Sequence, residues 1–254
     1  MSFLTEMDLK NIWKKLSGKG QASSEPRKPE VPRAPRIPKE PFHQLSFQFE
    51  GNPNTDFEIS NISIGGLGLV ARSSASTCSW PQPLIELPAT LTIGTQCFRI
   101  QFKLVYTGPH TAGGAFVAAP REMLVALQKH LEAELAASAM SYIGPEMLNP
   151  EEDGSPHWYR SDNAELFIVI NANRVVRFNA VCFGNYIEAE HGKTLRFGRQ
   201  IDEHDYSKPS HKASTLTQWD SSLEPATLAM FVRMIKHIPK LKPELKEQVL
   251  SFLK

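Results

Sequence analysis

Asn61-Ile62-Ser63-Ile64-Gly65-Gly66-Leu67-Gly68-Leu69 is the stretch whose reading decides the fold of this chain. Phe57 and Ile59 alternate with polar residues ahead of the glycines, and Leu67 and Leu69 alternate beyond them, the period of a strand pair with one buried face. The glycines between them lack a Cβ and tolerate positive φ, so a ligand or a second backbone can come close there. Asn61 and Ser63, two residues apart, project the same way and offer both donors and acceptors.

The surrounding chain continues the β pattern. Leu45, Phe47 and Phe49 alternate in a first strand, residues 98–106 (FRIQFKLVY) read as a long strand, and residues 113–117 (GGAFV) as a short one. Residues 73–84, rich in Ser and Pro, read as a loop. Pro120 then opens a helix whose Met123, Leu124, Leu127, Leu131 and Leu135 form one apolar stripe, a lid for the strands or a subunit interface.

On these residues the chain resembles the PilZ domain, a receptor for the bacterial second messenger cyclic di-GMP. The family motif Asp/Asn-x-Ser-x-x-Gly is matched by Asn61, Ser63 and Gly66, and the order of strand, glycine turn, long strand, short strand and helix follows it over residues 33 to 138. The resemblance implies a mainly β fold with α: a six-stranded antiparallel β-barrel plus helix, followed here by a small α+β C-terminal unit. It also implies arginines at the barrel mouth, where guanidinium forks meet phosphates and guanine edges. The family spaces them Arg-x-x-x-Arg. This chain has Arg33-Ala34-Pro35-Arg36, one residue shorter, in a proline-rich strip that cannot easily be rewound. The implied ligand site is Arg33, Arg36, Asn61, Ser63, Gly65 and Gly66, with cyclic di-GMP as ligand, no cofactor and no metal. Two functions remain open: a signalling protein that relays cyclic di-GMP to a protein partner or to its C-terminal unit, and a nucleotide-free adaptor that binds proteins.

The chain has 254 residues, 41% of them hydrophobic, enough for two small cores, and a formal net charge of +1. So even a balance gives no broad pull toward nucleic acid or acidic lipid. Cys78, Cys97 and Cys182 are odd in number and widely spaced, which fits a reducing compartment. The first twenty residues are too charged for a signal peptide, and no apolar run approaches a membrane span. A cytoplasmic protein is expected.

Residues 1–18 read as an amphipathic helix with Leu9, Ile12, Trp13 and Leu16 on one side, docked on the protein or meeting a partner. Residues 19–41 form a basic linker in which Pro26, Pro29, Pro32, Pro35, Pro38 and Pro41 recur at the polyproline period. Residues 1–41 together hold nine basic residues against five acidic ones, which suits a segment leading to a phosphate. The barrel and its helix then occupy 42–139, a linker 140–163, and the C-terminal unit 164–254. Within that unit residues 165–170, 174–190 and 193–201 read as strands, 202–222 as polar loop, and 223–238 and 243–253 as helices.

Other motifs fail on context. Residues 66–71 (GLGLVA) satisfy a dinucleotide fingerprint on letters alone, yet no helix follows to receive a pyrophosphate. Gly192-Lys193-Thr194 lacks the upstream glycine of a P-loop, since position 187 is isoleucine. Asp202, Glu203, His204 and Asp205 have no metal-ligand spacing, and no nucleophile sits in a catalytic motif, so no enzyme is expected. Trp158 and Tyr159, followed by Arg160, suit either stacking on a partner or anchoring a core.

Overall fold

A computed structural model of the chain describes residues 34–40, 43–51, 57–72, 80–201 and 216–254, and residues 34–254 belong to one compact unit. The protein is mainly β, with two antiparallel seven-stranded sheets and, among the described residues, four α-helices. The expected N-terminal helix and Asp202 to Asp205 lie outside the described residues.

The first sheet runs β1-β3-β4-β7-β6-β5-β2. Its strands are β1 (Ile37–Pro38), β2 (Leu45–Phe49), β3 (Phe57–Ser63), β4 (Gly66–Ala71), β5 (Glu86–Ile93), β6 (Gln96–Thr107) and β7 (Thr111–Val117). The sheet curls into a half-barrel, bringing β2 at one edge against β3 near the other. Phe47, Phe49, Phe57 and Phe102 fill its interior, with Phe47 and Phe102 edge to face at 4.9 Å. The end of the proline strip, expected to be linker, supplies β1. Proline is tolerated there because β1 is an edge strand, and Lys39 N–H still donates to the Ser60 carbonyl at 2.9 Å.

The second sheet is a meander, β14-β13-β12-β11-β10-β9-β8. It contains β8 (Ser141–Ile143), β9 (Ser155–Arg160), β10 (Ala164–Asn171), β11 (Arg174–Cys182), β12 (Asn185–Glu190), β13 (Arg196–Ile201) and β14 (Leu216–Trp219). It differs from the sequence reading in three places, the first being that residues 216–219, read as part of a polar loop, form β14 against β13. Residues 141–160, read as linker, contribute β8 and β9. The strand read over 174–190 folds back as a hairpin at Phe183-Gly184, whose φ values of +49° and +77° make the turn.

Helix α1 (Arg121–His130) and helix α2 (Glu132–Ser138) divide the apolar stripe between two cores. Leu131, at φ −106° and ψ 13°, breaks the helix read as continuous. Met123, Leu127 and Leu131 close the half-barrel core. Ala133, Ala136 and Ala137 turn instead to the second sheet, packing with α3 (Pro225–Lys236) and α4 (Pro243–Ser251) on Leu166, Ile168 and Phe178.

A buried polar joint links the halves. His43 and Glu134 are both 0% exposed, and His43 Nδ1 accepts the Glu40 N–H at 2.9 Å, so the ring proton sits on Nε2 and donates to Glu134 at 2.7 Å. Arg233 of α3 grips the same carboxylate with two hydrogen bonds, of 2.6 and 2.7 Å, and also donates to the His130 carbonyl. His130 returns a bond to the His43 carbonyl, and His237 Nδ1 donates to the Arg233 carbonyl. Burial opposes the charge on Glu134, but hydrogen bonds from His43 and Arg233 outweigh it and lower its pKa to about 2. Burial lowers His130 and His237 below 6.5.

Acid should therefore destabilise the fold in two stages. Below about pH 6.5 the unfolded chain takes up protons at His130 and His237 that the folded chain resists. The Glu134 contribution, on the order of 3 kcal/mol, is complete above pH 4.5 and is lost as the pH falls toward about 2. Thermal melts from neutral pH to pH 3 should show the midpoint falling from pH 6.5 and more steeply below 4.5; a flat profile over that range contradicts the joint.

Candidate functional site

The glycine turn lies on the outer face of the half-barrel, and a bulge puts it there. Ile59 pairs with Leu69 and Asn61 with Gly68, so Ser60 is an extra residue that inverts the alternation of β3. Without it Asn61 and Ser63 would share the inward face of Phe57 and Ile59. With it, Ile62 enters the core and the two polar residues turn outward.

Ser63 Oγ donates to the Gly66 carbonyl at 3.2 Å and closes the turn. Gly66 is required by a close approach: a Cβ there would overlap the Gly114 carbonyl oxygen and stand 3.0 Å from Ala115 Cα. Gly65, by contrast, is exposed with open space around it, and its carbonyl accepts the Phe116 N–H at 3.0 Å. Asn61 leans over Gly68, where a Cβ would lie 2.6 Å from its Nδ2. That Nδ2 donates to Ser60 Oγ at 3.1 Å, while Asn61 Oδ1 is shut off from solvent and has no hydrogen-bond partner among the described residues.

Two cross-strand rows organise this face. Pro38, Asn61, Gly68, Gly113 and Tyr106 form one, and Ser63, Gly66, Ala115 and Lys103 the other. The β1 register, Ile37 with Ile62 and Pro38 with Asn61, continues one step to place Arg36 beside Ser63. Ile37 is buried in the core, so Arg36 faces outward with Ser63; it is exposed and has no ion-pair partner among the described residues. Lys103, half-buried, ends the same row across the glycines and likewise has no ion-pair partner among the described residues. Neighbouring strands lie about 4.8 Å apart, so the two cations bracket roughly 19 Å of sheet. The floor between them is small side chains and bare backbone, with Ser63 only 9% exposed and Gly65 the exposed residue of the turn.

Arg36, Asn61, Ser63, Gly65 and Gly66 are thus brought to one outer face, and Arg33 lies outside the described residues. Lys103 was not singled out from sequence, because its place opposite Ala115 follows from strand pairing. His43, Glu134 and Arg233 were missed as well. Glu134 had a legible signal: it stands three residues after Leu131 and seven after Leu127, a charge on an apolar stripe. Both ring nitrogens of His43 are engaged within the joint.

Among the described residues no three His, Cys, Asp or Glu side chains converge as a metal site, and no helix is long and apolar enough to cross a membrane. No family model matches the chain, and no curated protein matches it. A crystal structure of an uncharacterized Legionella protein is similar at 15% identity over 38% of this chain and 89% of that one, with a TM-score of 0.29.

Proposed function

We propose that this chain is a PilZ-type signalling receptor that binds cyclic di-GMP on the outer face of its half-barrel, in the cytoplasm, without catalysis. The observation that carries this reading is Arg36, exposed beside Ser63 with no ion-pair partner among the described residues, and Lys103 at the far end of the same row. In this reading Arg36 and Lys103 neutralise the two phosphates, and the Asn61 side chain swings off Gly68 so that its Oδ1, shut off from solvent in the free chain, accepts from a guanine N–H. The exposed Gly65 lets the nucleotide approach the backbone. The bound nucleotide relays its signal to a partner or to the second sheet.

Calorimetric titration of the full chain with cyclic di-GMP tests this. Saturable heat is expected, and Arg36→Ala should weaken binding roughly ten- to a hundredfold, the worth of one hydrogen bond to a charged group. Lys103→Met should weaken it in the same direction, and added salt should do so for the parent chain. If the chain gives no heat, or if Arg36→Ala and Lys103→Met bind as the parent does, the shortened Arg33-Arg36 spacing points to the nucleotide-free adaptor instead.

A further inference from the structure

The open face of the second sheet carries a constellation that the cyclic di-GMP reading does not use. On the side away from the helices, two adjoining clefts of about 230 and 460 Å³ share Phe167, Arg177 and Asn179 in their lining. The larger falls within the range of small-molecule sites, roughly 300–1,000 Å³. Trp158 and Tyr186 line it, and Trp219 packs edge-on to Tyr186 at 5.5 Å. Arg196 lies over the Trp219 ring at 3.7 Å, so its guanidinium is fixed in place.

Charge on this face is balanced pair by pair. Arg160 meets Glu165 at 3.1 Å, Arg196 meets Glu188 at 2.9 Å, Lys193 meets Glu190 at 2.7 Å, and Arg177 meets Glu151. Four cations against four anions leave no net field for a polyanion, which excludes the electrostatics on which nucleic-acid binding depends. A peptide that adds to a sheet needs an edge, yet β10, β11 and β12 are central and their backbone groups are spent in ladders on both sides. Recognition here must come from side chains and ring faces.

Two of those side chains are incompletely satisfied. Among the described residues Arg177 Nε, a donor, and Asn179 Oδ1, an acceptor, are both shut off from solvent without a hydrogen-bond partner, although each side chain belongs to the lining of both clefts. An unmet buried polar group carries a penalty, and adjacent donor and acceptor orphans call for groups that both accept and donate. Hydroxyls do both. A sugar ring adds a C–H face suited to the electron-rich ring of Phe167, beside Trp158, over which the Arg160 guanidinium already lies at 5.1 Å. We propose that this sheet face is a binding site for a neutral saccharide, with a ring stacked on the aromatic floor and vicinal hydroxyls bridging Arg177 and Asn179. Binding shifts both the Arg177 and Asn179 side chains toward the cleft, exchanging the Asn179 hydrogen bond to Tyr186 for bonds that relieve both orphans.

The test uses the full chain, uniformly 15N-labelled, titrated with cellotriose, chitotriose and maltotriose, and with oligo-dT as a polyanion. At least one trisaccharide should give saturable shifts of the Trp158 indole and Asn179 side-chain amide signals. Asn179→Leu should weaken that sugar at least tenfold with the remaining spectrum unchanged. Arg177→Lys retains the charge opposite Glu151 but removes the Nε donor, and should weaken it too. Arg36→Ala should leave it unchanged, which separates this site from the nucleotide site. The proposal fails if none of the three sugars saturates, if both cleft variants bind as the parent does, or if oligo-dT shifts these signals in their place.

Discussion

Glu134→Ala is expected to remove about 3–5 kcal/mol of folding stability, the range for breaking a buried ion pair from one side. The carboxylate is 0% exposed and accepts from His43 Nε2 and from two nitrogens of Arg233. Truncation leaves a guanidinium and an imidazole N–H facing a void between the half-barrel, α2 and α3. The His43 ring cannot reach bulk water without moving its element, whereas the Arg233 side chain, 23% exposed, keeps partial access. Equilibrium urea unfolding should show a lower midpoint with an unchanged slope, the signature of lost stability and not of a changed unfolded state. Glu134→Gln keeps one carbonyl acceptor and should lose less. The pair Glu134→Leu and Arg233→Met, which removes both charges together, should be milder than the sum of its single changes, because no orphan charge is left behind. A loss below about 1 kcal/mol for Glu134→Ala, the worth of an exposed pair, would show that the two halves are held by their apolar cores alone.

The elements set by side-chain periodicity were legible in the sequence. β2 shows Leu45, Phe47 and Phe49 alternating as written, each 6% exposed or less, and α4 begins at Pro243 where a first-turn proline signals a start, while α3, read from residue 223, begins at Pro225. Features that depend on an unpaired residue or on a distant partner were not. The Ser60 bulge leaves the letters of β3 unchanged yet reverses which face Asn61 and Ser63 occupy. Phe183 adopts φ +49°, a conformation that a bulky residue rarely takes, so the expected strand ran through a turn that Gly184 alone announced. β8 and β9 sit among Pro145, Pro150, Gly154 and Pro156, punctuation that reads as loop, and pairing with β10 overrides it. At the candidate site the motif residues were readable, whereas the cationic bracket of Arg36 and Lys103 exists only through the register of β1, β3, β4, β7 and β6.

Gly66→Ala should cost roughly 3 kcal/mol, the upper end for overpacking a filled site, while its neighbour's Gly65→Ala should fall within about 0.5 kcal/mol of the parent. The contrast is geometric. At Gly66 the added methyl overlaps the Gly114 carbonyl oxygen and crowds Ala115 Cα at 3.0 Å, all of it backbone in a paired strand. A rotating side chain can yield; a ladder strand cannot move without stretching the β4–β7 hydrogen bonds. Gly65 has nothing within 4 Å of its would-be methyl and no positive φ, so alanine fits the fold there. Urea midpoints of the two variants measure the difference directly, and equal midpoints would mean that β7 is not seated against the turn as described. The pair also separates shape from recognition. Ser63 and Gly66 close a turn that any half-barrel of this curvature needs, so the Gly66 variant loses stability whether or not a nucleotide binds. Gly65 faces solvent beside Arg36 and Ser63, and a methyl there obstructs only an incoming ligand. A Gly65→Ala chain of parental stability should therefore bind cyclic di-GMP at least severalfold more weakly in the calorimeter; unchanged affinity would place the nucleotide off the glycine turn.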